Sequence, residues 1–334
     1  MSKAPLIGIT MGDPAGIGPE IITKALSDET LYPICRPVVL GDAGALRTSL
    51  KYSPAMSIKE ISNTSDAKGK AGQIDILPLS NLEEQCLIPG KPCSEGGRAM
   101  GQYIIRAVEL AKQGELAAVV TCPISKALLH TAGHVFEGHT QMIAELTNTD
   151  DYVMMLAGDR LRVALVTIHC ALADVPGRLN EDEIYKTILI TYKALEQDFG
   201  FSGPRIAVTS LNPHAGESGL FGSEEETMIK PAVERARSEG CSVEGPFPAD
   251  TLFHQAASGR FEAVVAMYHD QGLIPLKLLH FSNAVNITLG LPIVRTSVDH
   301  GTAYDIAGKG TADPSSLVAA IHMAVRIAKN RASR

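Results

Sequence analysis

Tryptophan is absent from the 334 residues, and aromatic residues make up only 5%. Platforms for stacking nucleic-acid bases are therefore scarce. Lys and Arg form no block, and 30 basic against 37 acidic side chains leave a net charge of −7. A weakly acidic chain without a basic stripe lacks the footprint of nucleic-acid binding, although a local pocket for a small phosphate remains open. No apolar run is long enough to span a bilayer. The N-terminus passes from Met1 to Pro5 straight into the strand-like Leu6–Met11, with no apolar core of a secretion signal. These absences point to the cytoplasm, with no membrane or nucleic-acid partner. The six cysteines, Cys35, Cys86, Cys93, Cys122, Cys170 and Cys241, contain no CxxC pair. In a chain long enough to fold on its own core they read as free thiols, and a zinc ribbon is disfavoured.

What is present is an alternation of strand and helix. Short Val- and Ile-rich runs predict buried strands at Leu6–Met11, Pro37–Leu40, Ile74–Leu77, Ala117–Thr121, Val153–Ala157, Arg162–Thr167, Ile206–Thr209, Ala263–Met267, Val285–Thr288 and Ile293–Ser297. Longer periodic segments predict helices at Pro19–Leu26, Glu95–Gln113, His139–Leu146, Glu181–Gln197, Ser223–Ser238 and Pro314–Asn330. Continuous apolar strands interleaved with helices imply mostly parallel sheet covered on both faces. Strand count and length favour two α/β lobes, with a domain crossing near Asn148–Asp151 and an exposed loop at Ser62–Gly72.

Four features carry chemistry. Gly12-Asp13-Pro14-Ala15-Gly16-Ile17-Gly18-Pro19-Glu20 follows a strand and opens a helix, but Ile21 stands where a dinucleotide fingerprint needs its third glycine. A tight β–α turn explains the same residues. Three histidines, His169, His214 and His269, come just after predicted strands, whose C-termini gather on the active-site side of parallel α/β folds. Three neutral imidazoles suit a divalent metal with one open position, although a lone strand-end histidine is more often a hydrogen-bonded structural residue. The loop from Asp299 through His300, Gly301 and Asp305 to Gly310 suits a nucleotide but lacks Walker A spacing, and a glycine-rich turn before the last helix accounts for it equally. Lys277, Asn286 and Arg295 form the fourth set: Arg295 ends a strand and can grip phosphate or carboxylate, and Lys277 lies in the apolar Leu273–Leu279. A snorkelling lysine and a surface arginine are the plain alternative.

In this order, TMGDPAGIGPE, GHT, NPHAGE, PADTLF, MYHDQG, NITLGLP and RTSVDHGTA resemble the 4-hydroxythreonine-4-phosphate dehydrogenases, together with the related 4-phospho-D-threonate and 4-phospho-D-erythronate dehydrogenases. The resemblance runs from Ile9 to about Asp313. It implies an isocitrate/isopropylmalate dehydrogenase-like fold, with two α/β/α lobes around a cleft. The first lobe is expected at 1–130 plus 290–334 and the second at 131–289. It also implies a homodimer with the site at the subunit interface, NAD or NADP as cofactor, and a divalent metal, zinc first, with cobalt, manganese or magnesium as alternatives.

Carried over by motif, the metal ligands are His169, His214 and His269, the last contributed across the dimer interface. His139, Thr140, Lys277, Asn286 and Arg295 match substrate ligands, and His300, Gly301 and Asp305 fall in the nucleotide loop. Lys277 and Asp250 are the candidates for the general base. The loop departs from the isopropylmalate dehydrogenase pattern at Tyr304, where that pattern has proline, and at Asp313, where it has asparagine. The implied reaction oxidises a small phosphorylated hydroxy acid, 4-phosphohydroxy-L-threonine, to 2-amino-3-oxo-4-phosphobutanoate. That product decarboxylates to 3-amino-2-oxopropyl phosphate, a precursor of pyridoxal 5'-phosphate. The rival readings are phosphothreonate or phosphoerythronate oxidation, a zinc phosphohydrolase, which leaves the 299–310 loop without a task, and a metabolite-binding regulator, which the intact polar set argues against.

Overall fold

The computed structural model describes residues 4–136 and 138–334. Its strands are β1 (Leu6–Thr10), β2 (Arg36–Asp42), β3 (Ser57–Glu60), β4 (Gln73–Ser80), β5 (Ala118–Thr121), β6 (Val153–Ala157), β7 (Arg162–Leu165), β8 (Ile206–Thr209), β9 (Val243–Phe247), β10 (Ala263–Ala266), β11 (Val285–Leu289) and β12 (Arg295–Ser297). Its α-helices are α1 (Gly18–Ala25), α2 (Ala43–Ser49), α3 (Ser94–Lys112), α4 (Lys126–Thr131), α5 (His139–Leu146), α6 (Val175–Arg178), α7 (Glu181–Gln197), α8 (Lys230–Ser238), α9 (Ala249–Ala257), α10 (His269–Leu279) and α11 (Ser315–Ala332). Among the described residues, no helix is long and apolar enough to cross a membrane.

The chain divides into two compact units. The first runs to Asp150 and resumes at Leu291–Ser333; the second is Asp151–Gly290 with Arg334. The division between Asp150 and Asp151 puts His139 and Thr140 in the first unit. The reason is packing: α4 and α5 both lie on α3, a first-unit helix.

In the first unit the strand order is β3-β4-β2-β1-β5-β12, parallel throughout. Helix α3 packs on β1, β2, β4 and β5, and α11 on β1, β5 and β12. Every residue of β1 and β5 is buried, as strands covered on both faces require. Leu6, Val38, Leu40, Leu77 and Val119 meet Ala107 and Leu110 of α3 in one core cluster. Helix starts are set locally: Asp42 accepts from the Ala45 N–H at 3.1 Å to open α2, and Ser125 accepts from Leu128 N–H at 3.4 Å to open α4.

The second unit has the order β11-β6-β7-β10-β8-β9. The run β7-β10-β8-β9 is parallel, but β6 lies antiparallel to both β7 and β11. The link from β6 to β7 is a tight turn closed by Gly158 N–H to Leu161 O at 2.9 Å, too short for the crossover that parallel pairing needs. The core here joins Leu156, Val163, Leu165, Val264 and Ala266 to Leu252 and Phe253 of α9 and Leu273 and Leu276 of α10.

One cysteine expectation is corrected. Cys86 and Cys93 are disulfide-bonded, with Cα atoms 5.5 Å apart. A 3-10 turn at Glu84–Leu87 and the start of α3 at Ser94 bring them together across a seven-residue separation that no CxxC search detects. Cys35, Cys122, Cys170 and Cys241 are free thiols.

Candidate active site

In the first unit, Arg295, His139, Thr140 and Lys126 form one cluster. Arg295 stands on β12 at 3% exposure, and donates to Thr121 Oγ1 at 2.9 Å and to Thr140 Oγ1 at 3.4 Å. Burial pushes its guanidinium down to about 9. His139, the first residue of α5, belongs to the same cluster. Its Nε2 is shut from solvent and has no hydrogen-bond partner among the described residues. Burial, then the charges of Arg295 and Lys126, hold its imidazole well below the usual histidine value. Lys126, the exposed first residue of α4, was not singled out in the sequence; its proximity to His139 arises only because α4 and α5 pack on α3.

The nucleotide-loop candidates are in the same unit. His300, Gly301 and Asp305 are exposed, and the Asp305 carboxylate is the type of acceptor a ribose diol takes. Behind them the loop is tied to the GDPAGIGPE turn. Glu20, 2% exposed, accepts from Ala312 N–H at 2.9 Å and Gly310 N–H at 3.2 Å, while Lys24 bridges Glu20 and donates to both carbonyls of Gly310 and Ala312 at 2.8 Å. Ile17 N–H donates to Thr302 O at 3.1 Å. The turn is tight: a Cβ on Gly18 would lie 2.1 Å from Met11 O. The turn thus supports the 299–312 loop through hydrogen bonds.

In the second unit the three histidines follow β7, β8 and β10, which are parallel neighbours. The rings of His169 and His269 lie 5.8 Å apart. His214 packs near Phe221 at 6.2 Å. Within one chain the ligand atoms of the three do not gather within 4.8 Å of one another; among the described residues only Cys86, Cys93 and Glu95 do so. The donor chemistry nonetheless fits a divalent metal. His269 Nδ1 sits 2.7 Å from the Asp270 carboxylate, which leaves Nε2 for a ligand, as metal-binding histidines require.

The surroundings of these histidines are held with care. Residues 214–218 form a left-handed turn, with φ between 44° and 77° at His214, Ala215, Gly216, Glu217 and Ser218. Non-glycine residues pay about 1 kcal/mol or more each for this conformation. The buried Glu225 carboxylate anchors the segment preceding the turn, accepting from Leu211 and Asn212 N–H at 2.9 and 2.7 Å and from the Asn212 amide at 3.0 Å. Gln271 joins the ends of β8 and β10: it accepts from Thr209 Oγ1 at 2.7 Å and Met267 N–H at 2.8 Å, and donates to Ser210 O at 2.6 Å. Asp270, Gln271 and Glu225 act through other residues and carry no sequence signal of their own beyond their neighbours' motifs. Lys277 is half-buried on α10, Asn286 half-buried on β11, and Asp250 exposed in the first turn of α9.

Comparison with known proteins places this geometry. The family model described as "Pyridoxal phosphate biosynthetic protein PdxA" matches residues 33–324. The chain is 56% identical over 321 residues to the 4-hydroxythreonine-4-phosphate dehydrogenase of Desulforapulum autotrophicum, covering 96% of this chain and 94% of that one. It is 47% identical over 331 residues to the D-threonate 4-phosphate dehydrogenase of Cupriavidus necator, covering 98% of each. The crystal structure of 4-hydroxythreonine-4-phosphate dehydrogenase from Klebsiella pneumoniae has the same fold, with a TM-score of 0.90 at 44% identity over 98% of this chain and 99% of that one. The chain is thus an oxidoreductase of the dehydrogenase type, and it belongs to the pyridoxal phosphate biosynthetic protein PdxA family.

Proposed function

We propose that the enzyme oxidises 4-phosphohydroxy-L-threonine with NAD or NADP to 2-amino-3-oxo-4-phosphobutanoate, which loses CO2 to give 3-amino-2-oxopropyl phosphate. The observation that carries this reading is the buried Arg295 beside His139 and Thr140, in the same unit as the nucleotide loop. Arg295, Thr140 and Lys126 hold the anionic end of the substrate, and His139 contributes its inward-facing nitrogen. Asn286 supplies an amide to the remaining polar groups. His169, His214 and His269 hold a divalent metal, zinc by preference for imidazole, with cobalt, manganese and magnesium as the alternatives. When bound, such a metal eases loss of the hydroxyl proton and stabilises the enolate left by decarboxylation. Lys277, or Asp250 in its place, takes that proton; NAD or NADP, held by His300, Gly301 and Asp305, would supply the hydride acceptor.

A second reading keeps the chemistry and changes the substrate to 4-phospho-D-threonate or 4-phospho-D-erythronate. The 47% identity to a D-threonate 4-phosphate dehydrogenase favours it, and the 56% identity to a 4-hydroxythreonine-4-phosphate dehydrogenase favours the first. The test is kcat/KM for the substrates offered separately with NAD and metal. A preference for phosphohydroxythreonine of tenfold or so supports the first reading; the reverse preference replaces it with the second.

We also infer a homodimer formed through α10. Ile274 and Leu278, one turn apart, and Phe281 just beyond are 67%, 85% and 85% exposed in the single chain. The same helix begins with His269, so an interface along it places that histidine near the seam between the two copies. Burying a leucine contributes about 2 kcal/mol, counted twice in a symmetric dimer. Leu278→Glu is expected to raise the dimer dissociation constant by about 10³-fold and to lower activity with it, as read by sedimentation and turnover at matched concentrations. A fully active monomer, or an unchanged dimer, contradicts this interface.

A further inference from the structure

The phenol of Tyr304 is placed where three loop ends of the first unit meet. Its hydroxyl donates to the Asp13 carboxylate, in the turn after β1. Ser125, after β5, and Thr302, after β12, lie close enough to favour the ionised phenol slightly, against burial and Asp13, which raise its pKa. Asp13 is 1% exposed, and its other oxygen accepts from Ala15 N–H at 2.9 Å, while its N–H donates to Pro123 O at 2.9 Å. Burial lifts its carboxyl above the usual range, and the bonds to Tyr304 and Ala15 pull it back. A second brace lies alongside: Gly90 N–H donates to Ala15 O at 2.7 Å. Ser125 also opens α4, whose first residue is Lys126 of the Arg295 cluster. The far end of the loop is independently clamped by Glu20 and Lys24.

We propose that Tyr304 is a positioning residue for nucleotide binding: its hydroxyl, through the buried Asp13, holds the His300–Asp305 backbone in the shape that receives the cofactor. The residue touches no reacting atom. It acts by ordering the loop beforehand, so that binding does not bear the full entropy of ordering it. This rests on reading 300–305 as the nucleotide loop.

Tyr304→Phe keeps the ring and removes the hydroxyl alone. Titration calorimetry with NAD, on wild type and variant, is expected to show a dissociation constant raised about tenfold in the variant. Affinity for inorganic phosphate, the probe of the Arg295 cluster, and kcat at saturating nucleotide stay within about twofold. Asp13→Asn, which preserves shape but removes the acceptor charge, is expected to move NAD affinity in the same direction. Equal NAD affinity in wild type and Tyr304→Phe overturns the role of Tyr304 and leaves the nucleotide reading standing. Parallel losses of NAD and phosphate affinity with a lowered melting temperature make the residue merely structural and overturn it too. A wild type that binds neither NAD nor NADP overturns the nucleotide reading, and this inference falls with it.

Discussion

Replacing His214 with alanine is expected to lower kcat/KM by about 10³-fold or more, equivalent to some 4 kcal/mol of transition-state stabilisation, while the protein stays folded and dimeric. The expectation of an intact fold comes from the way the turn is held. The left-handed backbone at 214–218 is anchored at its entrance by Glu225, whose carboxylate bonds to Leu211 and Asn212, not to the His214 side chain. His214 is itself exposed, so its truncation opens no cavity. Alanine is somewhat less tolerant of positive φ than histidine, at a cost of about 1 kcal/mol or less. The measurements are turnover, bound metal per subunit and melting temperature. Loss of metal and turnover with an unchanged melting temperature is the expected pattern. Full turnover in a variant stripped of metal removes His214 from the ligand set.

Arg295→Ala is expected to weaken binding of the phosphorylated substrate by about 10²-fold or more and NAD binding by less than threefold. Arg295 reaches Thr140 and Thr121, whereas the nucleotide loop is supported from Glu20, Lys24 and Asp13. Equal losses for both ligands contradict this placement. The change also has a pH signature through His139. Burial first, then Arg295 and Lys126, depress its pKa. A depressed folded-state pKa means that the unfolded chain binds the proton first. Stability from this group is present above the ordinary imidazole value of about 6.5 and is lost as pH falls from there toward the folded value. Removing the Arg295 charge lets His139 protonate more readily, so the variant should lose less stability in total as pH falls below about 6.5. Melting temperature against pH, for both proteins, reads the difference.

The sequence made most of the central strands legible because a strand buried on both faces has to be apolar throughout, as β1 and β5 are. The edge strands β3 and β9 escaped it: Ser57–Glu60 is mostly polar and partly exposed, and Val243–Phe247 is partly exposed and carries Gly245 and Pro246. Helix α10 read only as an apolar stretch because Pro275 interrupts it, yet the helix continues around that residue. The strand-end histidines were visible because each stands just past a Val- or Ile-rich run, and β7, β10 and β8 do lie side by side. What no pattern displayed were residues that work through others: Lys126 beside His139, Gln271 between β8 and β10, and Tyr304 on Asp13. Tyr304 drew notice only as a departure from a related loop. These partners are set by packing between segments far apart in the chain, and the Cys86–Cys93 bond belongs with them because its partners lack the short spacing a motif search seeks.

The central claim is a metal-dependent, nicotinamide-linked dehydrogenation, and one assay tests it most directly. Protein freed of metal by chelation is mixed with NAD and 4-phosphohydroxy-L-threonine, and the absorbance of reduced nicotinamide is followed before and after a divalent metal is added, with the assay repeated for NADP and for 4-phospho-D-threonate. The expected trace is flat before the metal and shows steady reduction after it, with CO2 released in step when phosphohydroxythreonine is the substrate. Reduction at the same rate without metal, or none with either nucleotide and either substrate once metal is shown to be bound, contradicts it.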